Sequence, residues 1–268
     1  MLQPTGERLI EEYYQQTAED YLIYLFHVVT YNFAKKFTQG NKVLDYGCGS
    51  GFGTAMLVGE CESITGVDIS SAAISYANSH YKAECLSYQV IEPAEKAPLP
   101  FDDGSFDCVL SFQVIEHILA LDEYFTEVSR VLCPEGKFIV ATPDRATRLL
   151  PFQKPWNIWH VKEYSVSSLQ RLLNRNFCDV EILRMGGDQD VIQIELNRTT
   201  RAMWLTLPFT LPFVPDFVRI RFLKWLKRLR GRTATAKNSY KFDQSALHIS
   251  SDAHPSFNIV AVARKRQA

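Results

Sequence analysis

Val43-Leu44-Asp45-Tyr46-Gly47-Cys48-Gly49-Ser50-Gly51-Phe52-Gly53 is an apolar run that ends in an acid and then alternates glycine with other residues. Read locally, it is a strand, a tight turn and a helix start. Lys42 to Tyr46 has the apolar, turn-bounded composition of a buried strand, and Thr54-Ala55-Met56-Leu57 can open a helix. The glycines fill the corner between them, where they permit positive φ and let a ligand lie against bare backbone. The N–H groups of the following helix are expected to face outward.

Two cofactor classes use such a corner, and spacing separates them. A dinucleotide fingerprint needs G-x-G-x-x-G with an acid about 20 residues on. Here the glycines stand at 47, 49, 51 and 53, so Phe52 occupies the place of the third required glycine. An incidental glycine-rich turn in another α/β protein is the plain alternative. The hydrophobic-Leu-Asp-x-Gly-Cys-Gly-x-Gly pattern resembles the first motif of class I S-adenosylmethionine-dependent methyltransferases. That resemblance implies S-adenosylmethionine as cofactor, with its amino acid end against Gly47, Cys48, Gly49 and Gly51 and with Asp45 close by.

Outward from the corner, strands and helices alternate. Ser63 to Ile69 reads as a second strand ending in Asp68, 23 positions past Asp45, and an acid there can accept both hydroxyls of a ribose. The resemblance gives Asp68 and Ile69 to the adenosyl group; capping of the next helix, 71 to 81, is the other role open to Asp68. Leu86 to Ile91 is a third strand. The segment from Glu92 to Asp107 resembles the family's loop between its third and fourth strands, with Pro93 where relatives carry an aspartate. Adenine contacts then fall to Ala94, Glu95 or Glu92. Phe106 to Phe112 is a fourth strand, with Phe112 at the cofactor rim, and Gly136 to Pro143 a fifth.

This alternation fixes a parallel, doubly wound sheet with right-handed crossovers and ligands beyond the C-terminal strand ends. The resemblance adds a sixth strand, 179 to 185, and a seventh, 258 to 265, inserted antiparallel. The expected fold is therefore α/β: a seven-stranded Rossmann-like methyltransferase sheet with a C-terminal helical insertion. Residues 1–197 form the core with a helical leader from about residue 7 to 37, 198–256 the insertion, and 257–268 the last core strand. Within the leader, Thr5-Gly6-Glu7-Arg8-Leu9, His27 and Tyr31-Asn32-Phe33-Ala34 resemble a bacterial methyltransferase subgroup that accompanies glycosyltransferases.

Composition narrows the setting. With 268 residues, 46% of them hydrophobic, the chain can bury one substantial core, and a net charge of −1 exerts no global pull on nucleic acid. Six scattered cysteines without a C-x-x-C pair fit a reducing compartment. Met1 to Thr5 lacks the basic and apolar regions of a signal peptide, and no apolar run reaches about 18 residues. A cytoplasmic location is expected.

Methyl transfer from a sulfonium is an in-line displacement, in which orientation alone can supply ~7–11 kcal/mol. A hydroxyl acceptor also needs a base for its proton, and histidine suits that near neutral pH. His160, in a segment resembling the family's Asn-Pro-x-His-Val-x-Glu-Phe-Ser, is the first candidate as base or acceptor contact, against a structural bond anchoring the helix capped by Ser165. His117, after strand four, is the second, and Asp144 is an alternative base or hydroxyl-orienting group. No H-E-x-x-H motif, cysteine cluster or acid triad points to a metal.

In the insertion, Trp204 to Pro215 is apolar but broken by three prolines. Val218, Phe222, Trp225, Leu226 and Leu229 then share a helical face, and Arg219, Arg221, Lys224, Lys227, Arg228, Arg230 and Arg232 fill the remainder. Such a helix fits an anionic membrane surface, touched peripherally through 217–232, or a lid packed on the core. Nucleic acid is disfavoured because acids balance the basic residues elsewhere. The expected activity is O-methylation of a sugar, glycan or lipid-linked small molecule. A quinone or other aromatic acceptor, and a non-catalytic cofactor-binding subunit, are the alternatives.

Overall fold

The computed structural model describes residues 17–229 and 240–267. The N-terminal segment Thr5 to Leu9 and the basic positions Arg230 and Arg232 lie outside the described residues. The leader helix α1 spans Ala18–Thr38; the Thr17 side chain caps it by accepting from the Asp20 amide, with acids in its first turn and lysines in its last. Strands β1 (Lys42–Tyr46), β2 (Ser63–Asp68), β3 (Leu86–Val90), β4 (Phe106–Phe112) and β5 (Leu132–Pro143) pair in parallel. β1 and β4 are apolar on both faces because helices cover both sides of a parallel sheet. Strands β6 (Phe177–Gly187), β7 (Leu247–Ser250) and β8 (Asn258–Lys265) complete one sheet in the order β3-β2-β1-β4-β5-β8-β6-β7.

β8 runs antiparallel between β5 and β6, as expected for the last core strand. The sheet has eight strands where seven were expected. The addition is β7, which pairs antiparallel with the outer edge of β6, Gly186 facing His248. Four residues of mixed composition carry too little periodicity to stand out in the sequence. β5 also begins four residues earlier than expected, at Leu132.

The helix after the glycine corner, α2 (Phe52–Ala55), is a single turn; α3 (Ser71–His80) and α4 (Leu121–Val131) follow the next strands. After β5 come the short α5 (Arg145–Arg148) and α6 (Val166–Asn176), whose Ser165 cap forms a reciprocal capping box with Ser168. Helices α7 (Gln189–Thr206) and α8 (Asp216–Leu229) lie between β6 and β7 in the chain. Residue 198, the expected start of the insertion, is inside α7. The three prolines fall in the break between the two helices, and no described helix is long and apolar enough to cross a membrane.

Helix α1 locks the sheet to the insertion. Tyr31 and Ala34 pack with Val43, Leu110 and Phe112 of the sheet, while Leu22, Leu25 and Phe26 pack with Met185, Val191 and Phe257. His27 sits between these two contact zones.

Candidate active site

The glycine corner is built around Asp45, which is 1% exposed. Its Oδ2 accepts from the Thr54 hydroxyl at 2.6 Å and the Tyr31 hydroxyl at 2.9 Å, whereas Oδ1 has no partner. Burial pushes the carboxyl up to about 6, against those two hydrogen bonds. Gly49 has a φ of +56°, and a Cβ there would meet nothing within 4 Å. Gly53 is glycine for another reason: a Cβ would lie 1.9 Å from the Tyr31 ring.

The outward-facing amides expected at this corner are largely used within it. Gly47 and Cys48 donate to the Val67 carbonyl, and Gly49 donates to Asp68 Oδ2 at 3.0 Å. Asp68 Oδ1 accepts from the Ser70 amide, while Ser70 itself caps α3. Asp68 therefore braces the loop with two of its roughly four acceptor positions. The Cys48 side chain packs with Ile74, Ala77 and Tyr88, and burial raises its thiol well above the ordinary range. Ile69 is 63% exposed at the rim, Ala94 packs against the core, Glu95 is exposed, and Phe112 is buried edge-on to Tyr31.

These residues fit S-adenosylmethionine on the chain's own terms. A buried, partnerless carboxylate oxygen at Asp45 is matched to an ammonium, the space above Gly49 is open, and Asp68 retains acceptor capacity for ribose hydroxyls. When bound, the cofactor supplies an electrophilic methyl group on sulfur.

A second cavity, of about 340 Å³, opens beside the corner. Its floor carries Gln113, Glu116 and His160; α1 contributes Phe26 and His27; α7 and α8 roof it with Arg198, Leu205, Leu223 and Leu226. His160 is 5% exposed, and its Nδ1 lies 2.7 Å from Glu163 Oε1. Arg148 donates to both oxygens of that carboxylate, to Oε2 at 2.9 Å and Oε1 at 3.1 Å, and stacks over Trp156. Burial alone would raise Glu163, but Arg148 and His160 outweigh it and hold the carboxyl at about 2. An ionised carboxylate only accepts, so His160 Nδ1 carries a proton. His160 therefore holds a structural hydrogen bond, to Glu163, just ahead of the Ser165 cap.

His117 lies outside the cavity lining; its Nδ1 donates to the Trp159 carbonyl, and its ring meets His160 edge-on at 4.9 Å. Asp144 is also outside the lining, 3% exposed, with Oδ1 capping α5 through the Ala146 amide. Burial raises its carboxyl. Glu116 was passed over in the sequence. It is fully buried, Oε2 accepts from Thr142, Oε1 has no partner, and burial raises its carboxyl against His160 and His117. Arg148 was missed as well, because it reaches Glu163 only when α5 and the following loop converge.

Residues 44–140 match a family profile described as methyltransferase domain. Residues 44–140 thus carry a methyltransferase domain, about a third of the chain, and the chain is similar to S-adenosylmethionine-dependent methyltransferases. A Mycolicibacterium smegmatis protein named "Probable S-adenosylmethionine-dependent methyltransferase" is 32% identical over 177 residues, which cover 66% of this chain and 65% of that protein. The chain thus spans slightly less than two thirds of that relative's length. A ubiquinone biosynthesis O-methyltransferase of Rhizobium leguminosarum is 33% identical over 113 residues, 41% of this chain and 43% of that protein. Among solved structures, a SAM-dependent methyltransferase of Thermotoga maritima superposes with a TM-score of 0.60 at 15% identity, covering 97% of each chain. At that identity the likeness concerns the fold alone.

Helix α8 differs from its sequence pattern. Arg219, expected among the solvated basic residues, is 8% exposed and donates to the Pro155 carbonyl at 2.7 Å. Leu223 faces the core beside it, and Phe222 stacks on Phe209. Trp225, read on the apolar face of the helix, is 53% exposed, and Phe217 is 74% exposed. Arg221, Lys224 and Arg228 are exposed at helical spacing with those two aromatics.

Proposed function

We propose that this protein transfers the methyl group of S-adenosylmethionine to a hydroxyl of a lipid-linked sugar or glycan acceptor, working at the face of an anionic membrane. The transfer is supported by the matched methyltransferase domain and by the roofed cavity adjoining the glycine corner. The observation that carries the acceptor class is the outer face of the roof. Phe217 and Trp225 stand beside Arg221, Lys224 and Arg228 there, while Leu205, Leu223 and Leu226 of the same two helices line the cavity within. Aromatic residues among cations suit the headgroup region, and each cation near an anionic surface adds about 1 kcal/mol of attraction. A roof seated on the bilayer would present the cavity to an acceptor held by a lipid tail. Six unpaired cysteines fit the cytoplasmic side.

The test couples binding to turnover. The protein should cosediment with phosphatidylglycerol vesicles at low salt, leave them as salt rises, and ignore phosphatidylcholine vesicles. Donor consumption should appear with lipid-linked sugars in the same vesicles. Protein that stays in the supernatant at low salt overturns the membrane placement; absence of turnover on every acceptor overturns the transfer and favours a cofactor-binding subunit. A quinone precursor is the second acceptor to include, because Phe26, Trp156 and Phe257 give the cavity an aromatic lining and an aligned relative is named for ubiquinone biosynthesis.

A further inference from the structure

The cavity beneath the roof and the small pocket at the glycine corner share two lining residues, His27 and Gln113. The corner pocket is otherwise walled by Tyr31, Gly47, Cys48, Ser50, Phe52, Gly53 and Phe112, and the roofed cavity by the groups around Glu116, His160 and Arg198. In-line displacement puts the migrating methyl group where a donor pocket meets an acceptor pocket. From this we infer that His27 and Gln113 flank the point of methyl transfer and that His27 takes the acceptor's proton, a conclusion that rests on the transfer proposed above.

Three features of the junction fit that role. Neither the His27 ring nor the Gln113 side-chain amide hydrogen-bonds to another described residue, although both are only partly exposed. Both side chains line the two pockets with their polar atoms uncommitted to other described residues, so a ligand lying there can engage them. Gln113 also holds a φ of +59°, a left-handed conformation that a non-glycine residue adopts at a cost, and its amide is tied to the Ala141 carbonyl at 2.8 Å. His160, by contrast, already has its ring engaged by Glu163.

Burial lowers the His27 imidazole to about 4, so it is neutral at pH 7 and able to accept. A base of that strength suffices here. As the acceptor oxygen forms its bond to the methyl carbon, the carbon–sulfur bond breaks and its electron pair stays on sulfur. The O–H becomes strongly acidic as the oxygen gains positive character, and its proton passes to the imidazole nitrogen. One positive charge leaves sulfur and one appears on the ring, so the net charge of the site is unchanged. Tyr31, whose hydroxyl donates to the buried Asp45, faces this junction from the corner; Glu116, His160, Arg148, Glu195 and Arg198 face it from the cavity.

The experiment uses the sulfonium cofactor and its neutral product. By calorimetry, His27→Lys should weaken S-adenosylmethionine about tenfold or more relative to S-adenosylhomocysteine, because two cations would adjoin. His27→Gln should keep both affinities near wild type, which guards against misfolding of the lysine variant. On any acceptor that wild type methylates, His27→Ala should lose ~10²-fold or more in kcat and regain turnover with added imidazole. Equal losses for both ligands in His27→Lys place the residue away from sulfur and overturn the inference. Full turnover in His27→Ala, or a loss that imidazole does not restore, removes the proton-accepting role. If wild type binds both ligands yet methylates nothing, the transfer itself fails, and the affinity ratio still decides where His27 stands.

Discussion

Asp45 under the glycine corner and Glu163 beneath the roof are both nearly inaccessible carboxylates, 1% and 3% exposed, yet their charges fare in opposite ways. Asp45 is held by two neutral hydroxyls and is pushed up to about 6; Glu163 is gripped by Arg148 and His160 and held at about 2. Burial acts alike on both, so the partners decide the outcome. The network around Glu163 is electrostatically self-contained. Among the described residues the corner has no cation, and it has a carboxylate oxygen to spare, as expected of a surface finished by its ligand.

The largest expected effect breaks the self-contained half. Glu163→Ala strands the Arg148 guanidinium and should cost ~3–5 kcal/mol in urea unfolding, whereas replacing Arg148 and Glu163 together by apolar residues should cost clearly less. A single variant that unfolds no earlier than the double would show that the pair adds nothing to the fold.

Next in size is a pH response that separates the two acids. Asp45 has a folded pKa of about 6, raised above its ordinary value of 3.8, so the folded state holds the extra proton between them. Its contribution to stability is present below about pH 4 and is lost as pH rises through 6, amounting to about 3 kcal/mol at one unit per 1.4 kcal/mol. Glu163, lowered from 4.5 to about 2, contributes above 4.5 and loses it as pH falls through 2. Asp45→Asn should therefore remove a downward slope in stability between pH 4 and 6 and leave the acid limb below it intact. An unchanged slope in that variant would mean that Asp45 titrates like an exposed acid.

The same contrast explains what could be read before folding. The corner was legible because its chemistry is local: strand, acid and glycines follow one another in eleven residues, whereas the antiparallel strand at 258–265 came from the resemblance and not from periodicity. Ser165 likewise announced the cap of α6. The roof was not legible, because periodicity reports which residues share a face and not which face turns inward. Arg219 goes inward only because the Pro155 carbonyl, 64 positions away in sequence, offers it a partner. His27 sits in an apolar helical run, and its place between two pockets depends on α1 crossing both β4 and α7.

Within the corner, glycines should sort by what they face. Gly53→Ala drives a methyl group into the Tyr31 ring, which is fixed by Asp45 and Phe112, and should cost ~1–3 kcal/mol of stability from overpacking. Gly49→Ala meets open space and should cost only ~1–2 kcal/mol for its left-handed backbone. Its loss should appear in S-adenosylmethionine binding, by about tenfold, or 1.4 kcal/mol. Thermal melts with and without cofactor distinguish them, and a Gly49→Ala protein with full affinity would move the ligand off the loop.

The smallest expected effect on folding belongs to the outer face of the roof. Arg221, Lys224 and Arg228 are exposed, and none makes a described ion pair, in contrast to the inward Arg219 with its 2.7 Å bond to Pro155. Exposed side chains without such partners rarely contribute more than ~0.5 kcal/mol. Changing all three to glutamine should leave the urea midpoint and S-adenosylmethionine affinity near wild type while abolishing attachment to phosphatidylglycerol vesicles. Arg219→Gln should do the reverse, lowering stability by ~1–3 kcal/mol through the carbonyl left without its donor and leaving vesicle attachment intact. If the triple variant is destabilised as much as Arg219→Gln, those cations are part of the packing of the roof, and the face they share with Phe217 and Trp225 is not a free surface for lipid.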